Sequence, residues 1–314
     1  MRTHLLRCLR AGVSLAAAAL LLPLAAPAGE FSVMTYNLYR FSYEDRDKDG
    51  QKDNFKPEEE ITPLLELLKK NQPDVLAVEE MGDPASFAIF TQRVAAAGLD
   101  YPHQAYFIMP EATIGLAVLS RFPITERQPI TNESYTIGSE TMPVQRGFLN
   151  VEIEVNPGYR FRLLAAHLKS KRYHPLGQTE MRRNEARLLN KNVRRMLARN
   201  PDLNLVVVGD MNDNITSAPL RELIGNPPNL FDLRPQDSVG DLWTHFWAYQ
   251  ESYERLDYIL VSEGMKPEVV TEKCRVVRDP LTLLASDHRP VLAVFKDAEQ
   301  LPAPPANGSN GPAR

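Results

Sequence analysis

Short apolar runs alternate with amphipathic stretches along most of this chain. The runs at residues 31–36, 74–78, 114–119, 205–208, 257–261 and 290–295 are too short for helices and predict buried strands. Residues 146–155 and 159–167 alternate between apolar and polar positions around Asn156-Pro157-Gly158, which predicts a hairpin. At 57–70, Ile61, Leu64, Leu65 and Leu68 fall on one face of a predicted helix. Helices are also predicted at 85–97 and at 179–197, the latter long and basic. Residues 272–277, around Cys274, read as a further strand. Strand pairs mixed with helices predict the α/β class, with two sheets face to face and helices outside.

The first residues change this picture at one end only. Arg2, Arg7 and Arg10, an apolar run from Ala11 to Leu22 and the small residues Ala26-Pro27-Ala28 predict a secretory signal over 1–28. The run is short for a bilayer span, so an exported protein without stable membrane insertion, periplasmic or secreted, is expected. Residues 29–298 then form one domain, expected to act as a monomer. The Pro-, Ala- and Gly-rich residues 299–314 are expected to be a disordered tail. Loss of the leader removes three Arg and no acid, taking the formal charge from −4 to −7. Bulk charge of that sign excludes strong nonspecific binding to DNA, while leaving room for a local basic patch. Cys8 leaves with the leader, so Cys274 remains as a single thiol and no disulfide is expected.

Chemistry concentrates at the strand ends. Asn37 closes the first strand in Thr35-Tyr36-Asn37, and Glu79 and Glu80 close the second. Glu80 suits a hard cation such as Mg²⁺. His167 ends an apolar strand, and Asp210 and Asn212 follow Val206-Val207-Val208 across Gly209. Asp210 and Asn212, two apart, can face one way, one orienting a water and the other donating to a phosphate oxygen. Asp257 enters an apolar strand, where an unpaired acid is costly. Ser286-Asp287-His288 precedes the last strand, and Asp257 is positioned to fix the tautomer of His288. Each of these alone has an ordinary reading as a turn or a solvated strand end. Their repetition in this order points to a metal-assisted phosphoester hydrolase.

Taken together these residues resemble the endonuclease/exonuclease/phosphatase superfamily, which includes DNase I-type deoxyribonucleases, abasic-site endonucleases, bacterial sphingomyelinases and inositol polyphosphate 5-phosphatases. The resemblance runs from about Phe31 to Phe295 and includes Gly115-Leu116-Ala117-Val118-Leu119-Ser120-Arg121-Phe122-Pro123-Ile124. It implies a four-layer α/β sandwich with two mixed sheets. It implies that Glu80 and Asp287, with Asn37, hold Mg²⁺ or Mn²⁺. It implies that Asn37, Arg146, His167 and Asn212 contact phosphate, and that Asp210, Asn212, His167 and the Asp257–His288 pair serve catalysis. Two positions depart from the pattern. Glu79 stands where Gln is common, an extra carboxylate expected to strengthen metal binding or shift Glu80. Tyr39 stands where the abasic-site enzymes carry an acid, which together with His167 and the leader leans away from DNA repair.

Two charged features bear on substrate. Asp45, Asp47, Asp49 and Asp53 flank Gly50 as in the start of a Ca²⁺ loop, although Lys56 occupies the twelfth place; the alternative is a solvated loop. Lys169, Lys171, Arg172 and a run of cations from Arg182 to Arg195 are read partly as a solvated helix face. Lys169, Lys171 and Arg172, with Arg289, are also read as holding a second phosphate or a DNA backbone. The expected activity is an exported Mg²⁺-dependent phosphodiesterase, first a nuclease on DNA. The alternatives are a phosphodiesterase or phosphatase on lipid head groups or small phosphoesters, and a noncatalytic binding module.

Overall fold

A computed structural model describes residues 29–300. The leader reading at 1–28 lies outside the described residues, as does the tail reading from 301 onward. Two six-stranded sheets form the centre. One has the order Arg275–Val276, Val291–Lys296, Glu30–Phe41, Val75–Met81, Gly115–Ser120, His103–Phe107. The other has the order Phe231–Asp232, Asp257–Val261, Leu205–Asp210, Tyr159–His167, Phe148–Asn156, Ile124–Arg127. Glu30–Phe41 runs parallel to Val75–Met81, and Tyr159–His167 parallel to Leu205–Asp210; the other pairings are antiparallel, so both sheets are mixed.

The period-2 alternation of each strand sends its side chains into two different cores. Val33, Val75, Ala77 and Val118 meet Leu163, Ala165, Val206, Val208 and Ile259 between the sheets. The alternate residues Met34, Tyr36, Leu76 and Val78 pack outward under the helices Glu58–Asn71 and Pro84–Ala96. On the far side Leu164, Ala166, Val207 and Leu260 pack under the helices Gln178–Arg199 and Ala218–Ile224. The four-layer α/β sandwich expected from the sequence is therefore present.

The expected strands and helices that carry continuous apolar patterns are found within a few residues of their anticipated ends. The strand expected around Cys274 is not: Thr271–Lys273 is a 3₁₀ turn and only Arg275–Val276 pairs. The edge strands His103–Phe107 and Ile124–Arg127 escaped prediction because half-exposed edges carry mixed side chains with no clean period. Among the described residues, no helix is long and apolar enough to cross a membrane.

Candidate active site

The strand ends meet because inward-facing positions of both sheets terminate at one end of the sandwich. Asn37 and Glu79 are register partners on the first sheet. On the second, Asp210 is in register with His167 on one side and Asp257 on the other. Gly209 makes the approach possible. Its φ is +131°, and a Cβ there would overlap the Ala166 carbonyl oxygen and sit 3.1 Å from Glu79 Oε1 across the gap.

Asp210 is the hub. Its Oδ2 accepts from Asn37 Nδ2 at 3.1 Å and Asn212 Nδ2 at 3.1 Å, and its Oδ1 accepts from the Asn212 backbone N–H at 2.8 Å. His167 Nε2 lies 3.4 Å and His288 Nε2 3.8 Å from the same Oδ2. Burial pushes the Asp210 carboxyl up to about 7, against the pull of His288 and with the help of Asp257. His288 bonds Asp257 through Nδ1 at 2.8 Å, and Asp257 is itself held by the Thr244 hydroxyl through its backbone N–H at 3.0 Å. Burial disfavours the imidazolium of His288, but the Asp257 and Asp210 carboxylates outweigh it and hold the ring well above the usual histidine range. His167 is different: burial, with Arg146 and His288 nearby, holds it well below that range, as a neutral ring. One wall of the site is thus a charged donor and the other a neutral one.

Ser286 shapes the last segment, donating to the Asn37 carbonyl at 2.8 Å and accepting from the His288 N–H at 3.0 Å. Arg146 donates to the His167 and Leu168 carbonyls at 3.4 and 3.0 Å, so its guanidinium braces the backbone beside the site.

The expected metal residues divide into two groups. Glu80 sits on a bulge with φ +60°; its Oε2 accepts from the Arg40 N–H at 2.9 Å, and its Oε1 lies 3.5 Å from Asn37 Nδ2 and 4.0 Å from His167 Nε2. Asp287 clusters instead with His245 and His288, their ligand atoms within 4.8 Å of one another. Burial raises the Asp287 carboxyl, but His245, 3.6 Å away, and the charge of His288 bring it below the usual range. His245 was not anticipated: it opens the three-residue hairpin strand His245–Trp247, which is too short to show a period, yet its ring is 4.6 Å from that of His288.

The residues fit a divalent cation. Glu80, Asp210 and Asp287 bring carboxyl oxygens toward one mouth around His167 and His288, and Asp257 Oδ1 behind them is buried without a partner. Such a concentration of oxygen donors is stabilised by a hard cation. Glu79, however, is no part of an open metal shell. It is fully buried, takes the Thr35 hydroxyl at 2.7 Å, and is pushed well above the usual carboxyl range by burial and then by Asp257 and Asp210. The expectation that it strengthens metal binding is corrected on that ground.

Other corrections concern the cations. Arg289 is 1% exposed; it pairs with Asp237 at 2.8 Å, donates to Val277 and Trp243 carbonyls and covers the Trp243 ring, so it holds the fold rather than a phosphate. Lys169 turns its amine back onto the Ser170 and Arg172 carbonyls, and Lys171 pairs with Glu254. Arg182 is buried against Asp213 and the Lys169 carbonyl. In the acidic loop, Asp45, Asp47 and Asp49 converge within 4.8 Å, whereas Asp53 stands outside that group and Lys56 is buried against Glu60 at 2.5 Å.

Comparison with known proteins matches residues 34–288 to the model of the Endonuclease/Exonuclease/phosphatase family. No curated protein matches the chain. Among solved structures, the human Nocturnin catalytic domain with bound sulfate is 20% identical, covering 85% of this chain and 94% of that one, at a TM-score of 0.61. D. rerio TDP2 complexed with a single-strand DNA product is 17% identical, with coverage of 85% and 99% and a TM-score of 0.59. Sphingomyelinase C from Streptomyces griseocarneus is 18% identical, with coverage of 86% and 100% and a TM-score of 0.57. At these identities the likeness is one of fold.

Proposed function

Because the chain belongs to the endonuclease/exonuclease/phosphatase family, and is accordingly a metal-dependent phosphoester hydrolase, we propose that it cleaves phosphodiester bonds, with DNA as substrate. The observation that carries the reading is the convergence of Asn37, His167, Asp210, Asn212 and the Asp257–His288 pair on one point between the sheets.

The proposed roles follow from the charges. Asp210, poised near neutrality, takes a proton from the attacking water, with Asn37 and the Asn212 N–H fixing its orientation. His288, kept cationic by Asp257, donates to a phosphate oxygen and so offsets charge that grows in the transition state. His167 supplies a neutral donor to another oxygen, while Asn212 gives its side-chain N–H groups to Asp210 and the Leu168 carbonyl and so steadies the base. Water forms the new P–O bond, the ester oxygen leaves, and the water proton resides on Asp210. Glu80 beside Asn37, with Asp287 contributed from the neighbouring His245–His288 cluster, would hold Mg²⁺ or Mn²⁺, which when bound would supply Lewis-acid polarisation of the phosphate.

A second reading, a phosphodiesterase on lipid head groups, draws on exposed apolar side chains near Asp287: Trp247 and Tyr249 in the hairpin that carries His245, and Leu283 and Leu284 beside Ser286. The placement is proposed as exported, with residues 29–298 as the domain. N-terminal sequencing of the protein recovered from outside the cytoplasm should begin at Gly29; recovery of Met1 only in the cytosol would refute export.

The deciding assay is nicking of supercoiled plasmid with Mg²⁺, with and without EDTA, beside bis-p-nitrophenyl phosphate and sphingomyelin. The proposal expects EDTA-sensitive nicking. DNA left intact while the small diester or the lipid is cleaved rejects DNA as substrate.

A further inference from the structure

The cations of the helix Gln178–Arg199 that do not serve the active site form a separate feature. Arg183, Arg187, Lys191 and Arg195 recur every four residues along its exposed face, with Arg194 beside them. They line one wall of a groove of about 850 Å³, and Arg221 on the helix Ala218–Ile224 lines the other. Against these six cations the groove offers one lining carboxylate, Glu222, which Arg183 takes at 2.8 Å. Glu133 takes Lys191 and Arg195 at 3.0 and 3.3 Å. Among the described residues Arg187, Arg194 and Arg221 have no carboxylate partner.

This is not how a solvated helix face is ordinarily built. Such faces alternate sign at i,i+4, because like charges at that spacing destabilise the helix. Here an unbroken i,i+4 row of cations is kept in a chain whose net charge is negative. The row rises about 6 Å per step, and five of the six cations are Arg, whose planar fork matches phosphate oxygens. The lining is otherwise Asn, Ala and Gly. A concave channel without an exposed large apolar side chain suits a charged strand better than a bilayer, which apolar insertion would hold.

We propose that this groove is an exosite for the sugar–phosphate backbone of a nucleic acid. The inference deepens the nuclease reading and rests on it for substrate class, but it concerns binding away from the reacting phosphate. A long DNA held there is tethered while a segment is presented to Asp210 and His288. A diester too small to reach the groove gains nothing from it.

The test reads binding without turnover. A fluorescein-labelled single-stranded oligonucleotide is titrated in EDTA against the wild type and the double variant Arg187→Glu/Arg194→Glu. Both positions are exposed. Hydrolysis of bis-p-nitrophenyl phosphate in Mg²⁺ is measured in parallel. The expected result is a loss of affinity of tenfold or more, a salt dependence shallower by about one to one and a half log units per log unit, and unchanged hydrolysis of the small diester. Equal oligonucleotide affinity in the two proteins overturns the proposal, as does wild type that binds phosphatidylglycerol vesicles but no oligonucleotide. If the charge reversal impairs folding, Arg187→Gln/Arg194→Gln is used, with a threefold loss as the threshold. DNA bound through the groove yet never cleaved defeats the nuclease reading alone. DNA cleaved with affinity indifferent to the groove variants defeats the exosite alone.

Discussion

Arg289→Ala separates a structural guanidinium from a substrate-binding one. Arg289 follows His288 directly, and position alone invites a phosphate role. The structure instead buries it: Nη2 meets Asp237 at 2.8 Å, Nε and Nη1 each reach a backbone carbonyl at 3.2 Å, and the guanidinium lies 4.1 Å from the Trp243 ring centre. Truncation leaves the covered Asp237 carboxylate with Arg278 at 3.0 Å, itself half exposed, and the N–H groups of Val239 and Asp241. Removing one partner of a buried pair costs about 3–5 kcal/mol. Because Asp237 keeps the half-exposed Arg278 and the two N–H groups after truncation, the cost falls below that range, to about 2–3 kcal/mol. For a domain of this size that lowers Tm by roughly 4–10 °C. The pH dependence has a definite sign. Burial raises the Asp237 carboxyl, but Arg289, Arg278 and the two N–H groups hold it well below the usual carboxylate range. A depressed acid adds stability that is fully present above its unfolded value near 3.9 and fades as the pH falls through the folded one. The difference between wild type and variant in urea unfolding should therefore be full at pH 7 and shrink toward pH 3. A variant as stable as wild type, with KM for DNA raised at unchanged kcat, would refute the structural assignment.

Three further outcomes are expected. Asp257→Asn removes the charge that sustains the His288 imidazolium; kcat should fall by about 10²–10⁴-fold, and the NMR titration of the His288 ring in metal-free protein should move to lower pH, whereas an unmoved ring titration contradicts the pairing. Gly209→Ala places a methyl against the Ala166 carbonyl and should yield little folded protein, so a soluble variant with a wild-type melting curve would disprove the close packing. Glu79→Gln replaces a carboxyl that burial keeps protonated; a raised acid loses stability as pH rises above its ordinary value near 4.5, by about 1.4 kcal/mol per unit. The variant's stability relative to wild type, in EDTA, should thus improve from pH 5 to pH 8, and an identical difference at both pH values speaks against a neutral Glu79.

Much of the fold was legible because a buried strand must be apolar on both faces or on alternate positions, and a helix must carry a stripe. Those demands are local, so Val206-Val207-Val208 and the stripe at Ile61, Leu64, Leu65 and Leu68 announce themselves. The candidate site was legible for a related reason: Asn37, Glu80, His167, Asp210 and Asp257 each interrupt an apolar pattern where burying a polar group is costly without a purpose. What the chain could not reveal is direction in space. Arg289 and Lys169 look like free cations until Asp237 and the Arg172 carbonyl are brought beside them. Glu79 and Glu80 are neighbours with the same chemistry; only the φ of +60° at Glu80 and the pairing of Asn37 with Glu79 send one into the core and leave the other at the mouth. His245 becomes part of the site only because its hairpin folds back to bridge His288. Local composition decides which segments are strands and which residues are costly to bury. Charge state and role depend on distances of a few ångströms between residues far apart in the chain, and those distances exist only once the two sheets have closed on each other.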